Sequence, residues 1–530
     1  MLWPALTGAQ PYEVPTFIHG EAIGGERDQY LHGLEVDAEG NTYVAGYFWG
    51  QLCFFNDTCV YAHSDGQSER TDIFVASYDT ARNLRWVRTF GGTGTDRVHD
   101  MDMGPDGNLY LAGAFSDTAV FGTELLLSTG DSLSFGAPDD GIWLKVNQKG
   151  DIQSLHQVSN IFYDQIDKIS VGERGDVWIA GTFRGDSVCL DDLCAVSDTS
   201  YGIFVAHYLP SGELVSAKVT HPNLSIIPSY LNDIVADPFG NLFYLSQNRL
   251  VKFDGGGGVE FSHSFDAQVF TGATTLGGDF AFVALARDTF SWCQQTILPG
   301  YLISRLDSNG SCVWTYNIPN TVSGPTYFSD LRIFKGTIFV YGSMYGEYII
   351  GSDTIRATQD LGLLSHDLPS GAYRWGRAIG SDWIWENPVR MTVNPKGEVI
   401  IASSMVDYHN VIDSLNYYNP YAPQEFIMLA WSTLDSALLT GIESEPSDDS
   451  PLSYQLYPNP ASNYLTIAKA SSLEPQTWRI LDMQGRVIMQ GRWDSEMARL
   501  VLDISAVVPG VYLFQVAEKY NHYSVKFVKS

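Results

Sequence analysis

The chain has 530 residues, more than one hydrophobic core usually supports, so two units or a closed repeat architecture are expected. Charged residues make up only 17% while Gly (50), Tyr (29) and Phe (27) are abundant, which favours short strands and tight turns and predicts an all-β fold. The net charge of −30 repels phosphate backbones and anionic lipid headgroups, which excludes nucleic acid and direct membrane binding as functions.

The charge is unevenly distributed along the chain. Residues 452–530 carry 8 Lys and Arg against 6 Asp and Glu, which leaves 23 against 55 for residues 1–451. The acidity therefore belongs to the larger, N-terminal part, where solubility outside a cell explains it more simply than a specific cation site. The chain contains no run of 18 apolar residues, so no transmembrane segment is predicted.

Residues 1–9 have the composition of the end of a secretory signal peptide, with apolar residues followed by small ones. The basic segment and most of the apolar core of such a peptide are missing. We expect either a residual signal peptide at a truncated start, so that Met1 is not the true start, or an ordinary ragged terminus.

Residues 10–440 contain a repeated hairpin pattern. Its motif is Asp-x-x-Gly-Asn-x-Tyr-Val-x-Gly at residues 37–46, where a turn joins two runs of β-forming residues. Related hairpins occupy residues 34–46, 101–113, 169–181 and 234–246, and weaker copies centre on residues 277–278, 335–336 and 395–397. Third and fourth strands follow the hairpins, for example at residues 72–78 and 84–90.

Seven units of four strands are typical of a seven-bladed β-propeller. The chain begins with a segment that resembles a fourth strand, at residues 15–20, and the seventh unit ends after its third strand. The N-terminal strand is therefore expected to complete the last blade and close the ring, which removes two open sheet edges. The motif resembles the seven-bladed propeller repeats of secreted bacterial proteins, a fold that hosts many unrelated functions.

Six cysteines occur as three close pairs: Cys53 with Cys59, Cys189 with Cys194, and Cys293 with Cys312. None forms a Cys-x-x-Cys unit, and no histidine cluster at ligand spacing lies nearby. No metal site is predicted, and short-range disulfides in an oxidising compartment are expected instead.

Two candidate binding regions emerge from the propeller sequence. Glu35 and Asp102 occupy the same position of the repeat, on strands expected to face the central channel, where a cation site is conceivable. Arg332 falls at the corresponding place of the sixth unit, so a channel wall of internally paired charges is the simpler alternative.

The second candidate region is the insertion at residues 406–421. Its tyrosines suit carbohydrate or peptide recognition, although tyrosines packed over the blade are an equal alternative. The candidate residues here are Tyr408, Tyr417, Tyr418 and Tyr421.

An acidic linker at residues 441–451, with two prolines and little apolar surface, precedes a small C-terminal domain at residues 452–530. About seven short strands in fewer than 80 residues predict a small Ig-like β-sandwich. Four ordered motifs of this domain resemble the type A sorting domain of the type IX secretion system. The motif residues are Pro458, Asn459, Pro460, Gly485, Pro509, Gly510 and Tyr512, and the last motif is Lys526-Phe-Val-Lys529.

The resemblance implies recognition by an outer-membrane translocon and removal of the domain near the linker by a sortase-like peptidase. It also implies a protein that is secreted or attached to the surface of a Gram-negative bacterium, usually through lipopolysaccharide. An ordinary Ig-like adhesion module is the alternative.

The sequence lacks the common catalytic motifs, including Gly-x-Ser-x-Gly, His-Glu-x-x-His and a phosphate-binding loop. The leading hypothesis is a non-catalytic binding or adhesion propeller for an extracellular polymer or protein, with no cofactor. The alternatives are a propeller hydrolase or lyase with an acidic channel site at Glu35 and Asp102, and a structural spacer.

Overall fold

The computed structural model describes residues 16–529 except for short segments. The excepted residues are 26, 55–57, 64–69, 130–138, 160–161, 192, 197–200, 220–230, 320–326, 351–352, 380–385, 406–408, 413–414, 419–425, 434–453, 458–463, 470–475, 483–486, 494–498, 506 and 518–521. The chain divides into two compact units, Met1–Leu439 and Thr440–Ser530. Both are built from β-strands, and the described residues include no helix able to cross a membrane.

The first unit contains strands β1 to β38. The first nineteen are β1 (Thr16–Ile23), β2 (Gln29–Val36), β3 (Thr42–Trp49), β4 (Gln51–Cys53), β5 (Cys59–Tyr61), β6 (Thr71–Tyr78), β7 (Leu84–Gly92), β8 (Arg97–Met103), β9 (Leu109–Ser116), β10 (Thr118–Phe121), β11 (Glu124–Leu127), β12 (Asp139–Val146), β13 (Ile152–Ser159), β14 (Tyr163–Val171), β15 (Val177–Arg184), β16 (Ser187–Leu190), β17 (Leu193–Val196), β18 (Tyr201–Tyr208) and β19 (Leu214–Val219).

The remaining strands of this unit are β20 (Asp233–Ala236), β21 (Leu242–Leu245), β22 (Arg249–Phe253), β23 (Val259–Ser264), β24 (Ala267–Thr274), β25 (Phe280–Ala286), β26 (Phe290–Trp292), β27 (Gln295–Ile297), β28 (Gly300–Leu306), β29 (Cys312–Pro319), β30 (Tyr327–Phe334), β31 (Thr337–Ile350), β32 (Asp353–Asp367), β33 (Tyr373–Ile379), β34 (Glu386–Val393), β35 (Val399–Met405), β36 (His409–Ile412), β37 (Leu415–Tyr418) and β38 (Phe426–Thr433).

These strands form the seven blades predicted from the repeat. Blades 1 to 6 are the consecutive four-stranded antiparallel sheets that begin at β2, β8, β14, β20, β24 and β30. Blade 7 has the strand order β1-β38-β35-β34, and Gly20 of β1 lies opposite Ala430 of β38. The N-terminal strand therefore closes the ring as expected, and it covers the edge that β38 would otherwise expose.

The Asp-x-x-Gly sequences at residues 37–40 and 237–240 fold as tight turns between the first two strands of blades 1 and 4. In blade 1 the Gly40 N–H donates to the Asp37 carbonyl oxygen (3.0 Å), and the Asn41 N–H donates to Asp37 Oδ1 (2.8 Å). Gly40 has φ = 92°, a left-handed conformation that a side chain would strain. Because strands alternate in direction, these turns lie on one face of the ring, the turn face. The connections between second and third strands lie on the other, the hairpin face.

The hydrophobic cores lie between neighbouring blades. One cluster joins Leu34 and Phe74 of blade 1 to Ile400 and Leu429 of blade 7, and all four side chains are at most 1% exposed. Each blade therefore buries its sheet faces against the next one, which is the main apolar contribution to the stability of the ring.

The first strand of a blade carries a β-bulge in six of the seven blades. The pairing of β2 with β3 shifts between Leu31 and Gly33, and the same shift recurs in β8, β14, β24, β30 and β34. A bulge places an extra residue in one strand and changes which side chains point to each side. The bulge therefore determines which residues of the first strands reach the channel.

Short hairpins project from the hairpin face between the second and third strands. β10 pairs with β7 of the preceding blade and β16 pairs with β13, which extends two blades to six strands each. The hairpin β4–β5 contacts the end of the closing strand in the same way, through a bridge between Cys53 and Gly24. Each hairpin thereby fastens its blade to the preceding one.

All three predicted disulfides form. Cys53–Cys59 and Cys189–Cys194 each join directly opposite residues of one insertion hairpin. Cys293–Cys312 connects the turn of the hairpin β26–β27 to the start of β29.

The second unit contains strands β39 (Tyr454–Tyr457), β40 (Tyr464–Lys469), β41 (Gln476–Asp482), β42 (Val487–Trp493), β43 (Arg499–Asp503), β44 (Gly510–Ala517) and β45 (His522–Lys529). They form two sheets with the orders β39-β40-β43 and β42-β41-β44-β45. Ile467 of the first sheet and Ile480 and Phe514 of the second belong to one buried cluster. The two sheets thus share a core, and an Ig-like relationship stays a prediction.

Candidate functional site

The channel wall is built from two positions of the first strands, which lie two residues apart. Glu35 lies opposite Tyr43 in β3, and Asp102, Ser170 and Arg332 hold the same register position in blades 2, 3 and 6. The position two residues earlier holds a second set of side chains, which comprises Asp100, Lys168, Asp233, Thr271, Asp330 and Arg390 in blades 2 to 7. Side chains from both positions line a central cavity of about 340 Å³.

The cationic groups of this cavity are all ion-paired. Arg332 Nη2 lies 2.8 Å from Glu35 Oε1, and Arg332 Nε lies 3.3 Å from Asp330 Oδ1. Arg390 Nη2 contacts Asp100 Oδ1 at 3.0 Å, across blade 1.

Lys168 Nζ lies 3.9 Å from Asp233 Oδ1, which completes the set of pairs. The lining contains six carboxylates and these three cations, so the cavity keeps an excess of negative charge. The carboxylates of the lining are Glu35, Asp100, Asp102, Glu173, Asp233 and Asp330.

Several of these carboxylates also accept main-chain hydrogen bonds from the next blade. Asp102 Oδ2 accepts the Val171 N–H (2.7 Å), and Asp330 Oδ2 accepts the Met391 N–H (2.9 Å). Ser170 Oγ accepts the Ala236 N–H in the same manner at 3.0 Å. These bonds join the inner edges of successive blades, so the charged residues have a structural role in the ring.

Burial shifts the titration of the two predicted channel residues. It raises the pKa of Glu35 to about 7. The neighbouring Asp102 and Asp330 carboxylates also raise this pKa, whereas the Arg332 guanidinium lowers it. Burial also raises the pKa of Asp102 to about 6, although the hydrogen bond from Val171 acts in the opposite direction. Both carboxyl groups can therefore exchange protons near neutral pH, which is the property a general acid or base requires.

The structure brings Glu35, Asp102 and Arg332 into one cavity. Glu35 is only 7% exposed and is held by Arg332, which corresponds to the internally paired wall that the sequence offered as an alternative. In the part of the chain that the structure describes, no group of three or more His, Cys, Asp or Glu side chains is arranged to hold a metal ion.

The candidate tyrosines of the insertion are placed only in part. Tyr417 and Tyr418 belong to β37, which pairs with β36 as a two-stranded hairpin, and only their main chain is described. Tyr408 and Tyr421 lie outside the described residues.

The end of the channel at the hairpin face has an aromatic lining that the sequence did not predict. A depression of about 470 Å³ at the hairpin face is lined by Tyr30, His32, Phe270 and Phe328, together with Asn232 and Arg390. Burial lowers the pKa of His32 to about 3, so this imidazole is neutral at physiological pH.

The wall of this depression is itself an aromatic cluster. The ring of Tyr47 lies behind it, with its centroid 5.2 Å from that of Tyr30 and 5.3 Å from that of His32. Aromatic faces with amide and guanidinium groups beside them can bind sugars and peptides.

Sequence reasoning missed Asp100, Lys168, Asp233, Asp330 and Arg390. Their common repeat position carries a charged residue in five of seven blades, and that periodic charge was the available signal. The bulge lies before this position, so strict alternation from Glu35 and Asp102 already places these residues on the channel side of the strand.

The sorting residues lie at loops and strand ends of the second unit. Gly510 begins β44, and the Tyr512 hydroxyl donates to the Val508 carbonyl oxygen (2.8 Å) while its ring is 6% exposed in the core. Pro509 is exposed beside them, whereas Pro458, Asn459, Pro460 and Gly485 lie outside the described residues.

Comparison with known protein families decides the nature of this unit. Residues 455–530 match the family model described as a secretion system C-terminal sorting domain. This unit is a C-terminal sorting domain. A protein that carries this domain is exported by the type IX secretion machinery. The protein is therefore secreted or attached to the outer-membrane surface of its bacterium.

Solved structures resemble the chain at low sequence identity. A protein of unknown function from Bacteroides caccae is 10% identical, with 68% of this chain and 94% of that chain covered and a TM-score of 0.33. The extracellular domain of a hybrid two component system from B. thetaiotaomicron is 10% identical, with coverages of 94% and 80% and a TM-score of 0.24. A fungal alcohol oxidase is 12% identical, with coverages of 98% and 100% and a TM-score of 0.40. No curated protein matches the sequence.

Proposed function

We propose that the propeller is a non-catalytic binding module for an extracellular polymer or protein, delivered by its sorting domain. The observation that carries this proposal is the aromatic depression at the hairpin face, lined by Tyr30, Phe270 and Asn232. Aromatic side chains supply contact area at low entropic cost, and the neighbouring amide and Arg390 supply hydrogen-bond donors.

The exposed apolar residues of the insertion hairpins support a binding role for the same face. Tyr61, Leu125, Val196 and Ile349 are each more than 60% exposed. The first three belong to the short hairpins between second and third strands, and Ile349 lies near the end of β31, next to the connection between the second and third strands of blade 6. Side chains that contribute little to blade packing are available for contact with a partner.

A glycan array and an array of extracellular proteins, probed with the purified full chain, test this function. Tyr30→Ala is expected to weaken binding at least about tenfold, since aromatic anchors in a pocket contribute most to affinity. Phe239→Ala on the turn face is the matched control, because Phe239 is 44% exposed and far from the depression in the blade topology. Equal loss in both variants, or no ligand on either array, would contradict the proposal.

A hydrolase or lyase is a second candidate function, favoured by the raised pKa values of Glu35 and Asp102 in one cavity. Such an enzyme would turn over the polymer that it binds, and Glu35→Gln would abolish turnover while it leaves binding at the hairpin face intact. Binding without any product, measured by mass spectrometry of the ligand, would exclude this alternative.

A further inference from the structure

The channel position held by Glu35 leaves room on one side of the ring. The charged residues at this position are Glu35, Asp102 and Arg332, in blades 1, 2 and 6. Blades 3, 4 and 5 carry small uncharged side chains there, namely Ser170, Val235 and Ala273. All six residues line the central cavity of about 340 Å³. The free volume of the cavity therefore lies between the small side chains of three blades and the charged side chains of the others.

One cation serves three carboxylates beside this volume. Arg332 pairs with Glu35 and Asp330, and Asp102 has no cation at ion-pair distance among the described residues. Glu35 Oε1 accepts the hydrogen bond from Arg332, whereas Oε2 accepts none from any described residue, although the Glu35 side chain is only 9% exposed and lines the cavity. Burial keeps the pKa of Glu35 at about 7 and that of Asp102 at about 6 despite Arg332. A further positive charge in the cavity would therefore find uncompensated negative charge.

The cavity continues toward the turn face through a largely apolar rim. A depression of about 520 Å³ on that face shares with the cavity the lining residues Val171, Glu173, Ala236, Thr274 and Ile333. Its outer rim adds Pro238, Leu276 and Leu368, and Leu276 is 78% exposed. Lys335 also lies at this rim, with its ammonium placed over the Phe334 ring, 5.2 Å from the centroid. An apolar entrance that leads to buried carboxylates suits a ligand with an aliphatic stem and a cationic end.

We propose that the channel binds a primary ammonium group on an aliphatic stem, which enters from the turn face. In this arrangement the ammonium donates to Glu35 Oε2 and neutralises Asp102, while the stem contacts Ala273 and the apolar rim. A lysine side chain of another protein and a free polyamine both present this group. An ammonium needs only hydrogen-bond acceptors, whereas Ca²⁺ needs about six to eight oxygen ligands. The site is separate from the proposed function, which rests on the hairpin face.

Saturation-transfer NMR of the full chain with n-pentylammonium tests the site, and 1-pentanol is the neutral probe of similar length. We expect saturable binding of the ammonium and an affinity for 1-pentanol that is weaker by about tenfold or more. Glu35→Gln and Asp102→Asn should each weaken ammonium binding by about tenfold or more, because each removes a negative charge. Glu347→Gln, at an exposed ion pair, and Tyr30→Ala, at the hairpin face, should leave it unchanged.

A lysine-containing tripeptide and spermidine then separate the two sources of the ammonium group. Tighter binding of the tripeptide supports a lysine side chain of a protein partner, and tighter binding of spermidine supports a free polyamine.

The most discriminating variants are Ala273→Lys and Ala273→Met, whose new side chains are both long and unbranched but differ in charge. Both occupy the free volume, so both are expected to lose binding of n-pentylammonium. Ala273→Lys is expected to melt several degrees above Ala273→Met, because its own ammonium reaches the uncompensated carboxylates. The proposal is overturned by any of three results: no saturable binding to the native chain, equal affinity for 1-pentanol, or unchanged binding in both Glu35→Gln and Asp102→Asn. Melting of Ala273→Lys at or below the temperature of Ala273→Met would also overturn it.

Discussion

Arg332 is the residue on which the charge balance of the channel depends. It is paired with both Glu35 and Asp330, and the negative charge of the nearby Asp102 also raises the pKa of Arg332. Arg332→Met would leave three carboxylates without this cation. Removal of one partner from a fully buried ion pair costs about 3–5 kcal/mol, and because the Arg332 side chain is 30% exposed, a cost of about 1–3 kcal/mol applies here. We therefore expect a loss of that size in the free energy of unfolding, measured by urea denaturation.

The matched control for Arg332 is Arg356→Met. Arg356 pairs with Glu347 at 2.8 Å, but the two side chains are 74% and 45% exposed. Exposed ion pairs contribute about 0–1 kcal/mol, so this variant should unfold at nearly the native urea concentration. Similar losses in both variants would mean that the Arg332 ion pairs contribute no more to stability than an exposed ion pair does.

Glu35 makes the stability of the propeller depend on pH. Burial raises its pKa from 4.5 to about 7, so between these values the folded state holds a proton that the unfolded state releases. The contribution of Glu35 to the free energy of unfolding is fully present below pH 4.5. Up to about 3 kcal/mol of it is lost as the pH rises through 7.

Glu35→Gln removes this titration, and we expect its unfolding free energy to fall less than that of the native chain between pH 5 and pH 8. Glu347→Gln, at an exposed site, should reproduce the native profile. A profile of Glu35→Gln that is parallel to the native one would refute the raised pKa.

Among single residues, the repeat predicted the equivalence of Glu35, Asp102 and Arg332, because homologous turns align the first strands residue by residue. It did not predict that Arg390 would reach Asp100 across blade 1, where Gly33 occupies the same ring position. The contact between Arg390 and Asp100 is possible because Gly33, which lies between them in the ring, has no side chain. Alignment of the repeats compares equivalent positions and does not show which side chains meet across a glycine.

At the scale of elements, the insertion hairpin β4–β5 secures the closure of the ring. The Cys53 N–H donates to the Gly24 carbonyl oxygen (2.7 Å) and the Gly24 N–H donates to the Cys53 carbonyl oxygen (3.1 Å), directly after the closing strand β1. Replacement of both Cys53 and Cys59 by serine removes the cross-link of this short loop, and the chain-entropy model assigns such a link about 2 kcal/mol.

We expect this double variant to lose stability and to exchange the amide hydrogens of β1 faster, as measured by mass spectrometry. The matched control replaces Cys189 and Cys194, which close an equivalent hairpin far from the closing strand in the blade order. It should lose a similar free energy while exchange in β1 stays unchanged. Equal acceleration of β1 in both variants would contradict a local role of the first hairpin.

The elements themselves followed closely from the sequence, since alternating β-formers and Asp-x-x-Gly turns specify hairpins locally. The pairing of β10 with β7 and of β16 with β13 was not predicted. Those ladders form between consecutive blades, and local pattern carries no information about which neighbouring edge a short hairpin will join.

At the scale of the molecule, the seven blades and the closing strand were predicted because closure follows from counting: the seventh unit lacks one strand and the N-terminus supplies one. The functional surface was not predictable in the same way. The depression at the hairpin face is assembled from Tyr30, Phe270 and Phe328, which come from three different blades and have no common motif. Such a site depends on how the ring brings distant segments together.

The division into two units separates export from the stability of the propeller. Tyr512 lies in the core of the sorting domain, 6% exposed, and its hydroxyl donates to the Val508 carbonyl oxygen. Tyr512→Ala removes a buried aromatic side chain, which costs about 3–5 kcal/mol, as much as the core of a domain this small usually supplies. The variant chain is therefore expected to stay inside the outer membrane, as measured by fractionation of the producing bacterium.

The propeller of this retained chain should melt at its native temperature, because the two units are compact separately. Val508→Ala is the control for the export experiment, since Val508 is 72% exposed and its carbonyl oxygen persists in the variant. Normal export of Tyr512→Ala would mean that the machinery recognises an unfolded segment, whereas failure of both variants would assign recognition to the exposed surface beside Pro509. Only retention of Tyr512→Ala with normal export of Val508→Ala supports recognition of the folded domain.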